Sequence, residues 1–174
     1  LKNVTFKQAS NHPKWKMGYK NSIDSATLTN KCLEIIEAHY LFDIPYNKLD
    51  IVIHPESKIH SIFELNNHIY HMTAFQNNMI IPIYNYLNQF SNYHLDKKSL
   101  YLSKNNQLNF HEVKFTEFPI YKLFIELDKT EPSNIIKFNV GNEFAVNLFK
   151  KNLINYTDIY KIVAKISSLN LNYK

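Results

Sequence analysis

Glycine is nearly missing from this chain: Gly18 and Gly141 are the only two in 174 residues, and they stand far apart. A Walker-type phosphate loop or a GxGxxG dinucleotide turn needs several glycines within a few positions, so neither is present. Arginine is absent altogether, and all 20 basic residues are lysines. Sequence-specific reading of DNA leans on the bidentate guanidinium, which argues against a dedicated base reader. The lysines are scattered, so the net charge of +5 describes a solvated surface more than a nucleic-acid groove. Cys32 is the single cysteine. It allows no internal disulfide and no cysteine zinc knuckle, and a lone thiol fits a reducing compartment. No apolar run approaches the ~20 residues of a bilayer-spanning helix, and no signal-peptide pattern opens the chain. Neither nucleic acid nor membrane is therefore an expected partner.

What is present suits a folded domain. Apolar residues make up 45% of the chain, and a folded chain of this length buries ~70% of its unfolded surface. Asparagine occurs 23 times, beside many Ile, Lys, Tyr and Phe, a bias that looks like AT-rich codon usage more than a function. The chain begins at Leu1 rather than Met, which gives the expectation of a piece of a longer protein.

The polar residues 1–23 read as a loop leading into a short strand. Leu28, Leu33, Ile36 and Tyr40 recur at roughly helical spacing, which predicts one helix over 24–42 capped by Asp24 or Ser25. Alternating apolar residues predict a strand at 49–54. Strands at 58–65 and 68–75 flank Asn66-Asn67, a two-residue turn, and so predict a hairpin. A helix is expected over 78–90 with Pro82 in its first turn. Residues 91–116 read as a connection, and three short helices are expected near 117–128, 141–152 and 157–169. The class is α/β (α+β): a small mixed sheet with flanking helices, followed by a helical C-terminal tail.

The densest polar cluster is Ser25, Asn30, Lys31 and Glu34. A helix start offers free N–H groups and partial positive charge to an anion, Lys31 adds a full charge, and Asn30 and Glu34 share one face at i and i+4. A phosphate at the helix start, with Glu34 one turn deeper reaching a metal or a hydroxyl, is one reading. A capped, solvated helix face is the other, and spacing alone leaves both open. The segment His12-Pro-Lys-Trp-Lys-Met-Gly18 sets an imidazole, an indole and a thioether in one loop. It could be a mobile lid over a ligand or a surface loop whose Trp15 packs on the core. His54 ends a strand, where either ligand contact or simple hydrogen bonding is common. His68 and His71, at i and i+3 on a strand, point to opposite faces and make no metal pair. No HExxH, Cys–His dyad or GxSxG occurs.

Three segments together, HPKWKMG (12–18), DSATLTNKCLEIIEAHYLF (24–42) and VIHPESKIHS (52–61), resemble the 1-deoxy-D-xylulose 5-phosphate reductoisomerase family in order and spacing. The likeness continues through NMIIPI (78–83), FPIYKL (118–123) and FNVGNEFAVNLF (138–149). The resemblance implies an NADPH-dependent enzyme that rearranges a keto-sugar phosphate, reduces the aldehyde to 2-C-methyl-D-erythritol 4-phosphate for isoprenoid synthesis, and uses one Mg²⁺ or Mn²⁺. It implies that His12, Ser25, Asn30 and Lys31 hold the substrate phosphate, and that Glu34 ligates the metal and faces the substrate hydroxyls. Trp15 would cover the substrate. Met17, Gly18 and Met79 would lie near the nicotinamide, and His54 would support the site.

It further implies residues 1–90 as part of a central catalytic and dimerisation domain, 91–116 as a connection and 117–174 as part of a helical domain. A homodimer in a bacterial cytoplasm, or alternatively in a plastid or apicoplast, goes with it. The family's NADPH-binding domain, an Asp-x-Glu pair of metal ligands and a Gly/Ser-rich phosphate loop precede these motifs and are not in this chain. Locally, Asn77-Asn78-Met79 stands where the family has Pro-Asp-Met, Cys32 replaces a small Gly, and Gly141 stands where alanine is common. A degenerate remnant kept as a dimerisation or binding module is the alternative to an enzyme part.

Overall fold

In the computed structural model, which describes residues 3–13, 17–88 and 107–170, the elements in chain order are α1 (Phe6–Ala9), α2 (Tyr19–Ala26), α3 (Thr29–Phe42), a 3₁₀ turn (Tyr46–Lys48), β1 (Val52–Ile53), β2 (Ile59–Glu64), β3 (Tyr70–Ala74), α4 (Ile80–Leu87), β4 (His111–Glu112), α5 (Pro119–Glu126), α6 (Pro132–Lys150) and α7 (Asp158–Ser167). The mixed class of helices and strands is as expected. The chain forms two units, Leu1–Ile51 with Val113–Lys174, and Val52–Glu112 between them in sequence. The division between the units falls at 51/52 and at 112/113.

The first unit is helical, and α6 supplies its longest buried face. Ile135, Phe138, Gly141, Asn142, Ala145, Val146 and Phe149 are buried at helical spacing. Against it pack α7, whose Ile159 and Val163 are buried, and α2, whose Ile23 is buried. α5 adds Phe124, whose ring lies 5.5 Å from that of Phe138. The sequence pattern predicts α6 only from about 141, nine residues after it starts. Pro132 at its first turn is the actual start signal, since a ring with φ preset and no N–H costs nothing there. The asparagines at 134, 139 and 142 blur the apolar stripe that would have announced the helix.

Over 1–23, where the sequence predicts a loop leading into a short strand, the structure has α1 and the beginning of α2. Thr5 and Gln8 form a reciprocal capping box that starts α1, with the Thr5 N–H donating to Gln8 Oε1 at 2.9 Å. The expected single helix over 24–42 is two, because Leu28 sits in the left-handed region at φ 62° between α2 and α3. Neither Asp24 nor Ser25 is a cap. Both lie inside α2, where Ser25 Oγ donates to the Asn21 carbonyl at 2.8 Å. Asp24 is buried instead: it accepts from Lys20 Nζ at 2.6 Å and from Asn142 Nδ2 at 2.8 Å.

In the second unit β1 pairs antiparallel with β4 (Val52 opposite Glu112), so part of the expected connection returns as a strand. β2 and β3 make the expected antiparallel hairpin, with Ser61 opposite Thr73 and Glu64 opposite Tyr70. Its loop has three residues rather than two. The His68 N–H donates to the Leu65 carbonyl, the Leu65 N–H to the Ile69 carbonyl, and the positive φ of 59° falls on His68, not on an asparagine. The hairpin leaves Ile62, Phe63, Tyr70 and Met72 exposed. α4 lies within the expected 78–90 helix, with Pro82 in its first turn. Residues 89–106, and with them most of the expected connection, lie outside the described residues.

Gly141 brings α6 close to α7. A methyl group there would stand 3.2 Å from Ile166 Cβ and 3.3 Å from its Cγ2. For Gly141→Ala the ~1 kcal/mol gain in helix propensity offsets that overlap, so urea unfolding should give a stability close to wild type. Gly141→Val adds two branches into the same space and should cost about 2 kcal/mol by the same measurement. Burial pushes the Cys32 thiol up to about 12, against the opposing pull of the Lys129 charge. It should therefore stay unreactive toward a chromogenic disulfide reagent in the native protein and titrate as one thiol in denaturant.

Candidate functional site

The structure brings three of the four cluster residues into direct contact on the first turns of α3. Asn30 Nδ2 donates to Glu34 Oε1 at 2.6 Å, and Lys31 Nζ pairs with Glu34 Oε2 at 2.7 Å. The Lys31 and Glu34 side chains are 44% and 45% exposed, so both ends of this pair meet solvent. Ser25 belongs to the last turns of α2, just before the joint. α3 has no side-chain cap, because its N-cap position is the aliphatic Leu28. The Lys31 ammonium and the Ser25 hydroxyl, the latter now donating to the Asn21 carbonyl, thus stand near the start of α3, and donors of this kind suit an oxyanion once they exchange partners.

His12 lies in the loop between α1 and α2, half-buried, and burial lowers its imidazole from the ordinary value. Trp15 lies outside the described residues. Met17 is half-buried. Gly18 is exposed at the N-cap of α2 with φ −59°, and among the described residues a Cβ there would meet nothing within 4 Å, which leaves open space beside it with respect to those residues. Met79 belongs to the second unit. It is the exposed N-cap of α4, with Asn78 Oδ1 accepting the Ile80 N–H at 3.0 Å.

His54, also in the second unit, is fixed by its neighbours. Its Nδ1 lies 2.8 Å from the Asn109 carbonyl and 3.1 Å from Glu56 Oε2, and its ring stacks on Phe110. Two acceptors facing Nδ1 make that nitrogen the protonated one. The Asn109 amide donates to Glu56 and holds its carboxyl below the usual range. His68 faces Glu64 at 3.3 Å on the hairpin, a surface contact with no link to His71.

Glu34 supplies exposed carboxylate oxygens, which suit a hard divalent cation. Among the described residues no three His, Cys, Asp or Glu side chains converge, so Glu34 fits as one ligand of a set completed elsewhere. Also among the described residues, no helix is long and apolar enough to cross a membrane. The sequence reading missed the buried polar triad behind the joint. Asp24, Thr29 and Asn142 are each 1% exposed or less, with Thr29 Oγ1 donating to Asn142 Oδ1 at 3.5 Å. An aspartate before Ser-Ala-Thr looks like a cap, and only its 118-residue separation from Asn142, invisible to local pattern, makes it a core group.

Two family comparisons match this chain. Residues 1–42 match the 1-deoxy-D-xylulose 5-phosphate reductoisomerase C-terminal domain, and residues 76–173 match the DXP reductoisomerase C-terminal domain. The chain is 43% identical over 163 residues to the 1-deoxy-D-xylulose 5-phosphate reductoisomerase of Sulfurihydrogenibium sp. (strain YO3AOP1), covering 94% of this chain and 44% of that protein. It is 39% identical over 166 residues to the apicoplastic enzyme of Plasmodium falciparum, covering 95% of this chain and 34% of that one. A crystal structure of DOX-P reductoisomerase with NADPH, fosmidomycin and magnesium superposes with a TM-score of 0.90 at 35% identity, over 96% of this chain and 41% of that one. The Zymomonas mobilis enzyme in complex with NADPH superposes with a TM-score of 0.82 at 34% identity, over 98% and 44%. The chain spans less than half the length of these relatives. On the family match over more than half of its residues, the chain belongs to the 1-deoxy-D-xylulose 5-phosphate reductoisomerase family.

Proposed function

We propose that this chain is the substrate-side part of an NADPH-dependent reductoisomerase that converts 1-deoxy-D-xylulose 5-phosphate to 2-C-methyl-D-erythritol 4-phosphate. The observation that carries the reading is the Asn30–Lys31–Glu34 cluster on the uncapped start of α3, directly after Ser25. In this reading Ser25, Asn30, Lys31 and His12 hold the phosphate. A neutral His12, favoured by its burial, offers an N–H without adding a second positive charge. Glu34 ligates Mg²⁺ or Mn²⁺, and Trp15 covers the substrate. When bound, the ion polarises the keto-alcohol oxygens for the skeletal rearrangement and NADPH supplies the hydride.

Lys31 now neutralises Glu34. Exposed pairs of this kind are worth ~0–1 kcal/mol, so the ammonium can leave the carboxylate for a phosphate at little cost. Met17, Gly18 and Met79 are assigned to the nicotinamide side, a role supported at Gly18 by the open space beside it. Residues 1–90 are assigned to the central catalytic and dimerisation domain and 117–174 to the helical one. The exposed apolar residues of the hairpin, Ile62, Phe63, Tyr70 and Met72, support a homodimer contact. Relatives from bacteria and from an apicoplast accord with a bacterial cytoplasm or a plastid-type organelle.

Two measurements test the reading. Glu34→Gln keeps shape and helix propensity but removes the charge a divalent ion needs. In the enzyme containing this chain with its NADPH-binding part, turnover should fall by on the order of a hundredfold or more, with NADPH affinity hardly moved. Near-normal turnover at ordinary metal concentration would make Glu34 a plain surface carboxylate. The 174-residue chain alone, which has no Gly-rich loop and brings one carboxylate to the cluster, should oxidise NADPH at the blank rate with keto-sugar phosphate and metal present. A clear substrate-dependent rate would overturn the partial-enzyme reading.

A further inference from the structure

We infer that Asn142, on α6, is a positioning residue for the phosphate site: one buried amide holds the two ends of the α2–α3 joint in register. Its Nδ2 donates to Asp24 Oδ1 at 2.8 Å, and its Oδ1 accepts the longer 3.5 Å contact from Thr29 Oγ1. These partners lie on either side of Leu28, the residue held at φ 62°. Each stands immediately before a residue of the site in sequence, Asp24 before Ser25 and Thr29 before Asn30. The inference rests on the phosphate reading proposed above.

A packing role alone does not account for this choice of residues. A buried polar cluster of this kind adds little net stability over an apolar one of equal volume, whereas its directional hydrogen bonds define one geometry. The joint needs such definition. A leucine with positive φ is strained and relaxes unless its surroundings fix it. The other polar contacts at the joint run within the same segment: Thr27 Oγ1 lies 3.1 Å from the Ile23 carbonyl, 3.2 Å from the Asp24 carbonyl and 2.8 Å from Thr29 Oγ1. Asn142 alone among these groups comes from outside it, on a helix whose own position is fixed by Phe138, Ala145, Val146 and Phe149 in the core. It therefore sets where Ser25 stands relative to Asn30 and Lys31, and so the shape of the phosphate cradle.

The test uses the enzyme that contains this chain with its NADPH-binding part, assayed well below its unfolding temperature. Asn142→Leu should raise the KM for the keto-sugar phosphate, and the inhibition constant of fosmidomycin, by about tenfold or more, because misplacement of binding groups by ~1 Å is costly. The KM for NADPH should stay within about twofold of wild type. A purely structural residue would lower the active fraction and leave the substrate KM unmoved.

If Asn142→Leu does not fold, Thr29→Val, which keeps the β-branched shape and removes only the hydroxyl, should give a smaller rise of about threefold. A folded Asn142→Leu enzyme, or in its place Thr29→Val, with wild-type substrate KM overturns the inference alone. A wild-type enzyme with no substrate-dependent NADPH oxidation overturns the functional reading, and this inference with it.

Discussion

Asp24 carries its charge on a side chain with 2% of its surface exposed, and a carboxylate so placed costs on the order of several kcal/mol unless partners replace the lost water. Lys20 and Asn142 replace it from opposite directions, one from the preceding turn of the same helix and one from α6. Much of the helical unit follows from meeting that demand. α2 must lie against α6 closely enough for a 2.8 Å hydrogen bond. Within α6, Asn142 must then occupy a core-facing position, between Phe138 and Val146, where sequence pattern expects an aliphatic residue. Gly141, beside it, keeps α6 tight on α7. The apolar packing that places α6 and the polar requirement of Asp24 thus meet at one position, Asn142.

The same requirement explains the break between α2 and α3. A single helix continuing from Tyr19 to Phe42 would carry Thr29 away from the face that meets α6, because five residues past Asp24 lies well round the helix. The left-handed turn at Leu28 resets the phase, so that Asp24 and Thr29 both reach Asn142. A consequence is that the N-cap position of α3 is an aliphatic residue that makes no side-chain cap, while the buried Thr29 N–H turns to Thr27 Oγ1 at 3.5 Å. The geometry of the site is in this sense a by-product of how the core closes behind it.

The parts of this arrangement legible in the sequence were those fixed by local chemistry. The i and i+4 spacing of Asn30 and Glu34 placed them on one face, and they do meet. The polar pair Asn66-Asn67 announced the hairpin, although the loop closes one residue later, with His68 taking the positive φ. What local pattern could not carry was anything decided over distance. Periodicity ran straight through Leu28, because the apolar spacing on both sides of a left-handed residue still looks helical. β1 and β4 pair over two residues each from far apart in the chain, too short for alternation to show. Asp24 has the composition of a cap and the environment of a core residue, and the difference is made by Asn142.

The two carboxylates that flank the joint, ten residues apart, are held in opposite ways. Asp24 is buried with a short ammonium contact and an amide donor, so releasing either partner strands a charge in the core. Glu34 makes equally short contacts, 2.6 Å to Asn30 and 2.7 Å to Lys31, but in water, where a partner lost is replaced by solvent at almost no cost. Distance alone would rank these interactions as equals; burial makes one a fastening and the other an exchangeable contact. On the proposed reading, a site that grips an anion and admits a cation needs both kinds. Its donors must be fixed in place, while its charges remain free to trade partners, and the α2–α3 joint separates these duties between its buried and its exposed sides.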